Sequence, residues 1–208
     1  MLFFQWFSRI ILDLYDALSD LQYTKKLLGK SCRQIVLNNN DFTGTEACRY
    51  FIIEKVFDNI SLVNDHHILD VGCGRGRILA YLRNHHFQGR LTGIEINPIA
   101  YQSCASWALK QRIELIQDNV FNISVSSYNV FVIGHSFYKE MFHSFIKKIE
   151  KEVSQQILLI CIIDLDYGSY LEGMTKWKLL HRSTLFKHKG LYLIKKPNRY
   201  SIWSFNPQ

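Results

Sequence analysis

Short apolar runs alternate with amphipathic stretches along most of this chain. Five runs read as buried strands: residues 68–71, 91–96, 113–117, 128–133 and 157–163. Between them apolar residues recur three and four positions apart, most clearly over residues 141–153, which predicts helices. Uninterrupted apolar strands that alternate with helices predict a parallel sheet covered by helices on both faces.

The pattern changes near the C-terminus. Two strand-like runs, 177–186 and 191–205, are separated by Lys189-Gly190, and Pro197 places a bend in the second run. These runs predict an antiparallel hairpin at the edge of the sheet. The expected fold is therefore α/β, with a doubly wound, mostly parallel, seven-stranded sheet.

The N-terminal 40 residues form a separate helical pattern, which predicts a helical extension over residues 1–40 and a domain over residues 41–208. Apolar residues lie three and four apart before the break at 38–40: Ile10, Leu14, Ala17, Leu18 and Leu21. Gln5, Arg9 and Asp13 interrupt this region, so it does not read as a membrane span. A helix packed on the domain is expected, with a dimer contact or a membrane-surface helix as alternatives.

Composition indicates one globular domain. Of the 208 residues, 48% are hydrophobic and 21% are charged. The five scattered cysteines include no C-x-x-C pair, which argues against a zinc site and favours a cytoplasmic location. Residues 171–208 hold eight basic side chains against Glu172 alone, in a chain of net charge +7. This basic end favours nucleic acid, an anionic lipid surface or an acidic substrate, although a solvated face also explains it.

A glycine-rich loop follows the first predicted strand and opens a helix, where an open α/β sheet binds its ligand. Counting from Gly72, Arg77 occupies the place that a dinucleotide-binding loop gives to its last glycine, and no Gly-Lys-Ser/Thr closes a phosphate loop. The segment Asp70-x-Gly72-x-Gly74-x-Gly76 instead resembles the D/E-x-G-x-G-x-G loop of class I methyltransferases. This resemblance implies S-adenosylmethionine as the cofactor.

Acids at the next two strand ends fit that resemblance. Glu95, beside Ile96, stands at the tip of the second strand, where a carboxylate can accept both hydroxyls of a ribose. A solvated acid ahead of a helix is the alternative. The resemblance further implies that Asp118 accepts the adenine amine while Asn119 or Val120 approaches the ring.

Residues 41–180 are similar to a group of small bacterial methyltransferases with a loop such as Phe42-Thr43-Gly44-Thr45 and an aromatic-led helix, here beginning at Tyr50. This similarity implies that residues 43–45 close over the methionine end of the cofactor, with Thr45 as a candidate contact. An N-cap role for Thr43 or Thr45 is the alternative. The chain departs from amino-group methyltransferases after the fourth strand, where 134–138 replaces their N/D/S-P-P-Y/F loop.

Two side chains in that segment are the catalytic candidates. His135 stands where the fourth strand faces the transferred methyl group, as a possible cofactor contact and general base or as a polar loop residue without a chemical role. Tyr138, with Phe137, lines the substrate pocket or packs at the start of the next helix. Asp164 and Asp166 resemble a metal-binding D-x-D pair, but no metal site is expected.

The sequence thus predicts a methyltransferase acting on an oxygen or nitrogen nucleophile, because an activated sulfonium methyl needs mainly a positioned acceptor and a dry site. The expected partner is an unidentified methyl acceptor, with nucleic acid as a weakly supported partner; no membrane span is expected, and the sequence does not indicate the oligomeric state. Two alternatives stay open: a protein that binds the cofactor without transfer, and a nucleic-acid methyltransferase using the basic C-terminal region. A nucleotide-sugar enzyme using Asp164 and Asp166 is a third.

Overall fold

A computed structural model describes residues 2–30, 46–134, 136–164, 167–185 and 198–208. The helices are α1 (Leu2–Thr24), α2 (Tyr50–Phe57), α3 (Arg77–Asn84), α4 (Pro98–Ala108), α5 (Lys139–Glu152) and α6 (Tyr167–Leu171). The strands are β1 (His67–Val71), β2 (Arg90–Ile94), β3 (Glu114–Ile116), β4 (Val130–Ile133), β5 (Ile157–Cys161), β6 (Trp177–Leu185) and β7 (Asn198–Phe205).

The seven strands form one sheet in the order β3-β2-β1-β4-β5-β7-β6. Strands β1 to β5 pair in parallel, while β7 runs antiparallel to both β5 and β6. This arrangement confirms the predicted fold class and the antiparallel C-terminal strands. The proposed break at Lys189-Gly190 and the bend at Pro197 lie outside the described residues.

Each face of the sheet has its own apolar core. Successive residues of β1 point to opposite faces, so Ile68 belongs to the core that includes α2, α3 and α4. Leu69 belongs to the core that includes α5. Because both faces are covered, the central strands need apolar residues at every position, which explains their unbroken apolar runs.

Strand and helix boundaries differ from the predicted ones near the site. Strand β2 ends at Ile94, which leaves Glu95 and Ile96 in the following loop. In α4 the buried residues are Ala100, Cys104, Trp107 and Ala108, whereas Ile99 is 54% exposed. Asn97 caps this helix, because its side chain accepts the N–H groups of residues 99 and 100.

Helix α1 contacts the domain through its polar side. Asp16 and Asp20 are buried, while the predicted apolar stripe, including Leu14 and Leu18, is exposed. Residues 31–45, which include the predicted break and the Thr43–Thr45 segment, lie outside the described residues. None of the described helices is long and apolar enough to cross a membrane.

Candidate cofactor site

The site lies where the strand order reverses between β1 and β4. Chain connections leave these two parallel neighbours in opposite directions across the sheet, which opens a crevice beyond their carboxyl ends. The loops after β1, β2 and β3 approach this edge from one side, and the loop after β4 closes the other. Among the predicted site residues that the structure describes, Tyr138 follows β4. The others belong to β1 or to the loops after β1, β2 and β3.

The glycine loop has a backbone that other residues adopt with strain. Gly72, Gly74 and Gly76 have φ values of 71°, 58° and 90°. A Cβ on Gly72 would lie 2.5 Å from the Ser136 hydroxyl oxygen, and one on Gly76 would lie 2.6 Å from Cys104 Sγ. The glycines therefore let the loop turn sharply while both the β4 loop and α4 pack against it.

Glu95 connects the ends of β1 and β2. Its side chain is 4% exposed, and its two oxygens accept the backbone N–H groups of Gly74 at 2.7 Å and Asn97 at 2.8 Å. Burial raises the pKa of Glu95 above 4.5, although the N–H groups of Asn97, Gly74 and Ile96 oppose this. The two oxygens offer about four acceptor sites between them, so the carboxylate keeps room to accept a ribose hydroxyl beside these N–H groups.

Asp70 is the last-but-one residue of β1 and is 1% exposed. Within the described part of the chain its Oδ2 has no hydrogen-bond partner. Burial, reinforced by the charge of Glu95, raises the pKa of Asp70 from 3.8 to about 8. A buried carboxyl group with an unpartnered oxygen beside the glycine loop is suited to a polar or cationic ligand group.

The loop after β3 is held by its own side chains. Asp118 Oδ1 accepts the Asn119 N–H at 2.6 Å and the Asn122 side-chain amide at 2.8 Å. Asn119 in turn accepts the Phe121 N–H, and Val120 is 4% exposed. The second Asp118 oxygen is available for an amine, and Val120 supplies an apolar contact in the same loop.

The loop after β4 approaches the glycine loop from the other side. The Ser136 hydroxyl donates to the Val71 carbonyl at 2.5 Å, and the Phe137 carbonyl accepts the Tyr167 hydroxyl at 2.7 Å. Phe137 is buried, whereas Tyr138, at the N-cap of α5, is 47% exposed. Phe137 thus packs inward and Tyr138 is open to a ligand, while His135 lies outside the described residues.

The sequence did not predict the ion network that lies behind the glycine loop. Arg77, 7% exposed, makes two hydrogen bonds to Asp20 at 2.8 and 2.9 Å, and its Nη1 lies 3.3 Å from Asp16 Oδ2. Asp16 also binds Arg49 and accepts the Tyr50 N–H. The signal was the spacing of Asp13, Asp16 and Asp20, which puts three acids on one side of a helix.

The predicted D-x-D pair has a structural explanation for its first member. Asp164 is 1% exposed and accepts the Gly168 N–H at 2.7 Å and the Ser201 hydroxyl at 2.5 Å. Asp166 lies outside the described residues. No group of three potential metal ligands occurs among the described side chains.

Residues 68–155 match the family model described as "Methyltransferase domain". This segment begins in β1 and contains the glycine loop, Glu95 and the loop after β4. The match covers fewer than half of the residues of the chain, and over this segment the chain is similar to a methyltransferase domain.

Solved structures share the methyltransferase fold at low sequence identity. An RNA methyltransferase from Salinibacter ruber, crystallised with S-adenosylhomocysteine, is 16% identical with a TM-score of 0.59, over 78% of this chain and 95% of that one. The plantazolicin methyltransferase BpumL, in complex with a pentazolic desmethylPZN analogue and SAH, is 13% identical with a TM-score of 0.51, over 75% and 80%. The StiE O-MT segment is 12% identical with a TM-score of 0.57, over 76% and 74%. No curated protein sequence matches the chain.

Proposed function

We propose that this protein is a methyltransferase, which transfers the methyl group of S-adenosylmethionine to an oxygen or nitrogen nucleophile that enters beside the loop after β4. The observation that carries the proposal is the meeting of the glycine loop, Glu95 and Asp118 at three adjacent strand ends, with the Ser136–Tyr138 loop opposite them. Residues 41–208 form the catalytic domain in this proposal, and residues 1–40 form an extension.

The cofactor is proposed to lie across the carboxyl ends of β1, β2 and β3. The backbone at Gly72, Gly74 and Gly76 contacts its methionine part, and the orphaned Asp70 oxygen accepts from a polar group nearby. Glu95 accepts the ribose hydroxyls beside Ile96. Asp118 accepts the adenine amine, with Asn119 and Val120 next to the ring.

The acceptor side of the site is assigned to the loop after β4. Tyr138 is exposed there and can contact an acceptor through its ring or hydroxyl. His135 is proposed as the base that removes a proton from the acceptor, because an imidazole exchanges protons near neutral pH. Thr45 is proposed to contact the methionine end of the cofactor, in keeping with its motif.

Cofactor binding is tested by calorimetry with S-adenosylmethionine and S-adenosylhomocysteine on the native chain and on Glu95→Gln. We expect the variant to bind at least about tenfold more weakly, because a charge-assisted hydrogen bond contributes about 1.5–3 kcal/mol. Glu114→Gln is the matched control, since Glu114 lies at the amino end of β3, away from the site, and accepts only the Thr92 hydroxyl among the described contacts. Equal affinity of all three proteins would contradict the ribose assignment.

Transfer is tested by measuring S-adenosylhomocysteine release with a panel of RNA, hydroxylated compounds and amines. His135→Asn should lower turnover while leaving cofactor affinity unchanged, and Tyr138→Phe should change the dependence on acceptor concentration. Tight cofactor binding without product from any class of acceptor would favour a binding protein. Turnover unaffected by His135→Asn would remove the proposed base.

A nucleic-acid acceptor is the second candidate, favoured by the basic C-terminal region. Lys176, Lys178 and Arg199 are exposed, whereas Arg182 is paired with Glu172. The other basic residues of this region, Lys187, Lys189, Lys195 and Lys196, lie outside the described residues. RNA retention that falls steeply with salt, and that weakens in Lys176→Gln with Lys178→Gln, would support this acceptor class. Retention insensitive to both would exclude it.

A further inference from the structure

Helix α1 presents an apolar stripe to solvent. Six large side chains on this helix are between 38% and 58% exposed: Ile10, Ile11, Leu14, Tyr15, Leu18 and Leu21. Together they amount to an apolar surface on the order of 500 Å², near the upper end of the range for the largest patch on a typical monomer. A patch of this size is contiguous rather than a set of scattered exposed residues, and patches of this kind are often functional.

The stripe has the spacing of a helix that packs along another helix. Ile11, Leu14, Leu18 and Leu21 alternate steps of three and four, which is the a and d pattern of a heptad repeat. These four residues lie along about 15 Å of the 23-residue helix, which is continuous over this length.

The opposite side of α1 fixes this orientation. Asp16 and Asp20 are bound to Arg77, and Asp13 is bound to Arg49 at 2.6 Å. Turning the stripe inward would expose these paired acids and leave the buried Arg77 without a counter-charge. These ion pairs therefore hold the apolar side of α1 outward.

We propose that the stripe is a self-association surface, on which α1 of a second copy of this chain packs to form a twofold dimer. The positions that flank the heptad core are uncharged: Ile10, Tyr15, Ala17 and Gln22. Two identical stripes can therefore face each other without like-charge repulsion, as a twofold interface requires.

The apolar area of two such stripes is also large enough for a dimer interface. When both stripes are covered, the apolar part alone buries on the order of 1,000 Å², which is the lower limit for a specific interface before polar neighbours are added. A lipid surface fits less well, because helices that lie on membranes carry Lys and Arg on their polar side. The polar side of α1 carries Asp13, Asp16 and Asp20.

The test is sedimentation velocity of the full chain over a range of micromolar concentrations. We expect a species of twice the chain mass of 24.5 kDa for the native protein. Leu14→Glu combined with Leu18→Glu should weaken association by on the order of 100-fold or more, because it places like charges opposite one another in the interface. Circular dichroism and cofactor binding by calorimetry check that the variant is folded.

Val63→Glu is the matched control. Val63 is 54% exposed, close to the 58% of Leu14 and the 57% of Leu18, and lies on the loop before β1. It should leave the dimer intact. A native chain that sediments as a monomer throughout, or a double variant that dimerises like the native chain, would overturn the proposal. Binding of a monomeric native chain to phosphatidylcholine/phosphatidylserine vesicles, lost in the double variant, would assign the stripe to lipid instead.

Discussion

Helices α1 and α5 are both amphipathic, yet they pack on the rest of the chain differently. Helix α5 packs through its apolar side, whereas α1 packs through its polar side. In α5 the aromatic and aliphatic side is inward, and Phe142, Phe145 and Ile149 are fully buried. In α1 the aliphatic side is outward and the acids are inward, with Asp20 only 1% exposed. Both helices satisfy the same periodicity, so periodicity alone identifies the helix but not the side that faces the core.

The difference arises from what each helix covers. Helix α5 packs on an apolar sheet face, where Phe131 and Leu159 contribute to the core. Helix α1 covers the start of α3, where Arg77 is buried directly after the glycine loop. A buried guanidinium requires a paired carboxylate, because desolvation of an unpaired charge costs more than burial of a few apolar side chains returns.

The largest difference in the free energy of unfolding is expected when one side chain on the apolar side of each helix is truncated to alanine. Phe145→Ala should lower the free energy of unfolding by about 3–5 kcal/mol, because it leaves a cavity in a fully packed core. Leu18→Ala should change it by less than about 0.5 kcal/mol in the monomer, since 57% of that side chain is already exposed. Urea unfolding at a concentration where the chain is monomeric measures both. A similar loss for the two variants would mean that α1 is packed through its apolar side.

Removal of a charge from the inner side of α1 should have the next largest effect. Asp20→Asn keeps the side-chain volume but weakens both hydrogen bonds to Arg77, and we expect a loss of about 3 kcal/mol. Asp16 remains as a second partner, which keeps the loss at the lower end of the range for buried pairs. Asp13→Asn is the control: Asp13 is 55% exposed, so its pair with Arg49 contributes at most about 1 kcal/mol. Equal losses in urea unfolding would show that burial does not distinguish the two acids.

The sequence predicted the parts of the molecule that depend on local pattern. Continuous apolar runs located β1 to β5, and the stripe over residues 141–153 located α5 with its correct inner side. The spacing of the glycine loop, which excluded a dinucleotide fingerprint, also predicted the similarity to a methyltransferase domain that residues 68–155 show. These features are readable because each is determined by neighbouring residues.

Features that depend on distant partners were not predictable. Nothing near Arg77 in the sequence shows that Asp20, 57 residues earlier, is its partner. The Ser136 contact with the glycine loop depends on the packing of β4 beside β1.

Asp70 is a buried acid that can be compared with Asp16 and Asp20. Unlike them, it has no cation beside it among the described residues. Its pKa is raised to about 8 by burial and by the charge of Glu95, so the folded protein keeps a proton that the unfolded chain releases above about pH 4. Stability should therefore fall as the pH rises from about 4 to about 8, whereas the stability of Asp70→Asn should not show this fall. Urea unfolding of both proteins at several pH values measures this difference. A pH-independent difference would mean that Asp70 is ionised in the fold.

The smallest effect is expected on the polar side of α5, where the Lys148–Glu152 pair is partly rather than fully buried. Glu152 binds Lys148 at 2.6 Å and accepts the Val125 N–H at 2.9 Å. Partial burial raises the pKa of Glu152, but these two contacts outweigh it and hold the pKa below 4.5. Because the folded pKa is the lower one, the contribution is present above about pH 4.5 and is lost as the pH falls through the folded value.

Glu152→Gln should therefore cost about 0.5–1 kcal/mol near neutral pH and almost nothing near pH 3. High salt should reduce this cost, because ions screen a partly exposed pair more than a buried one, while the loss in Asp20→Asn should persist. Lys151→Gln, a charge change on a neighbouring exposed side chain, controls for net charge. If Glu152→Gln were as costly and as insensitive to salt as Asp20→Asn, the polar sides of α1 and α5 would contribute alike. The degree of burial would then not distinguish the polar side of α1 from that of α5.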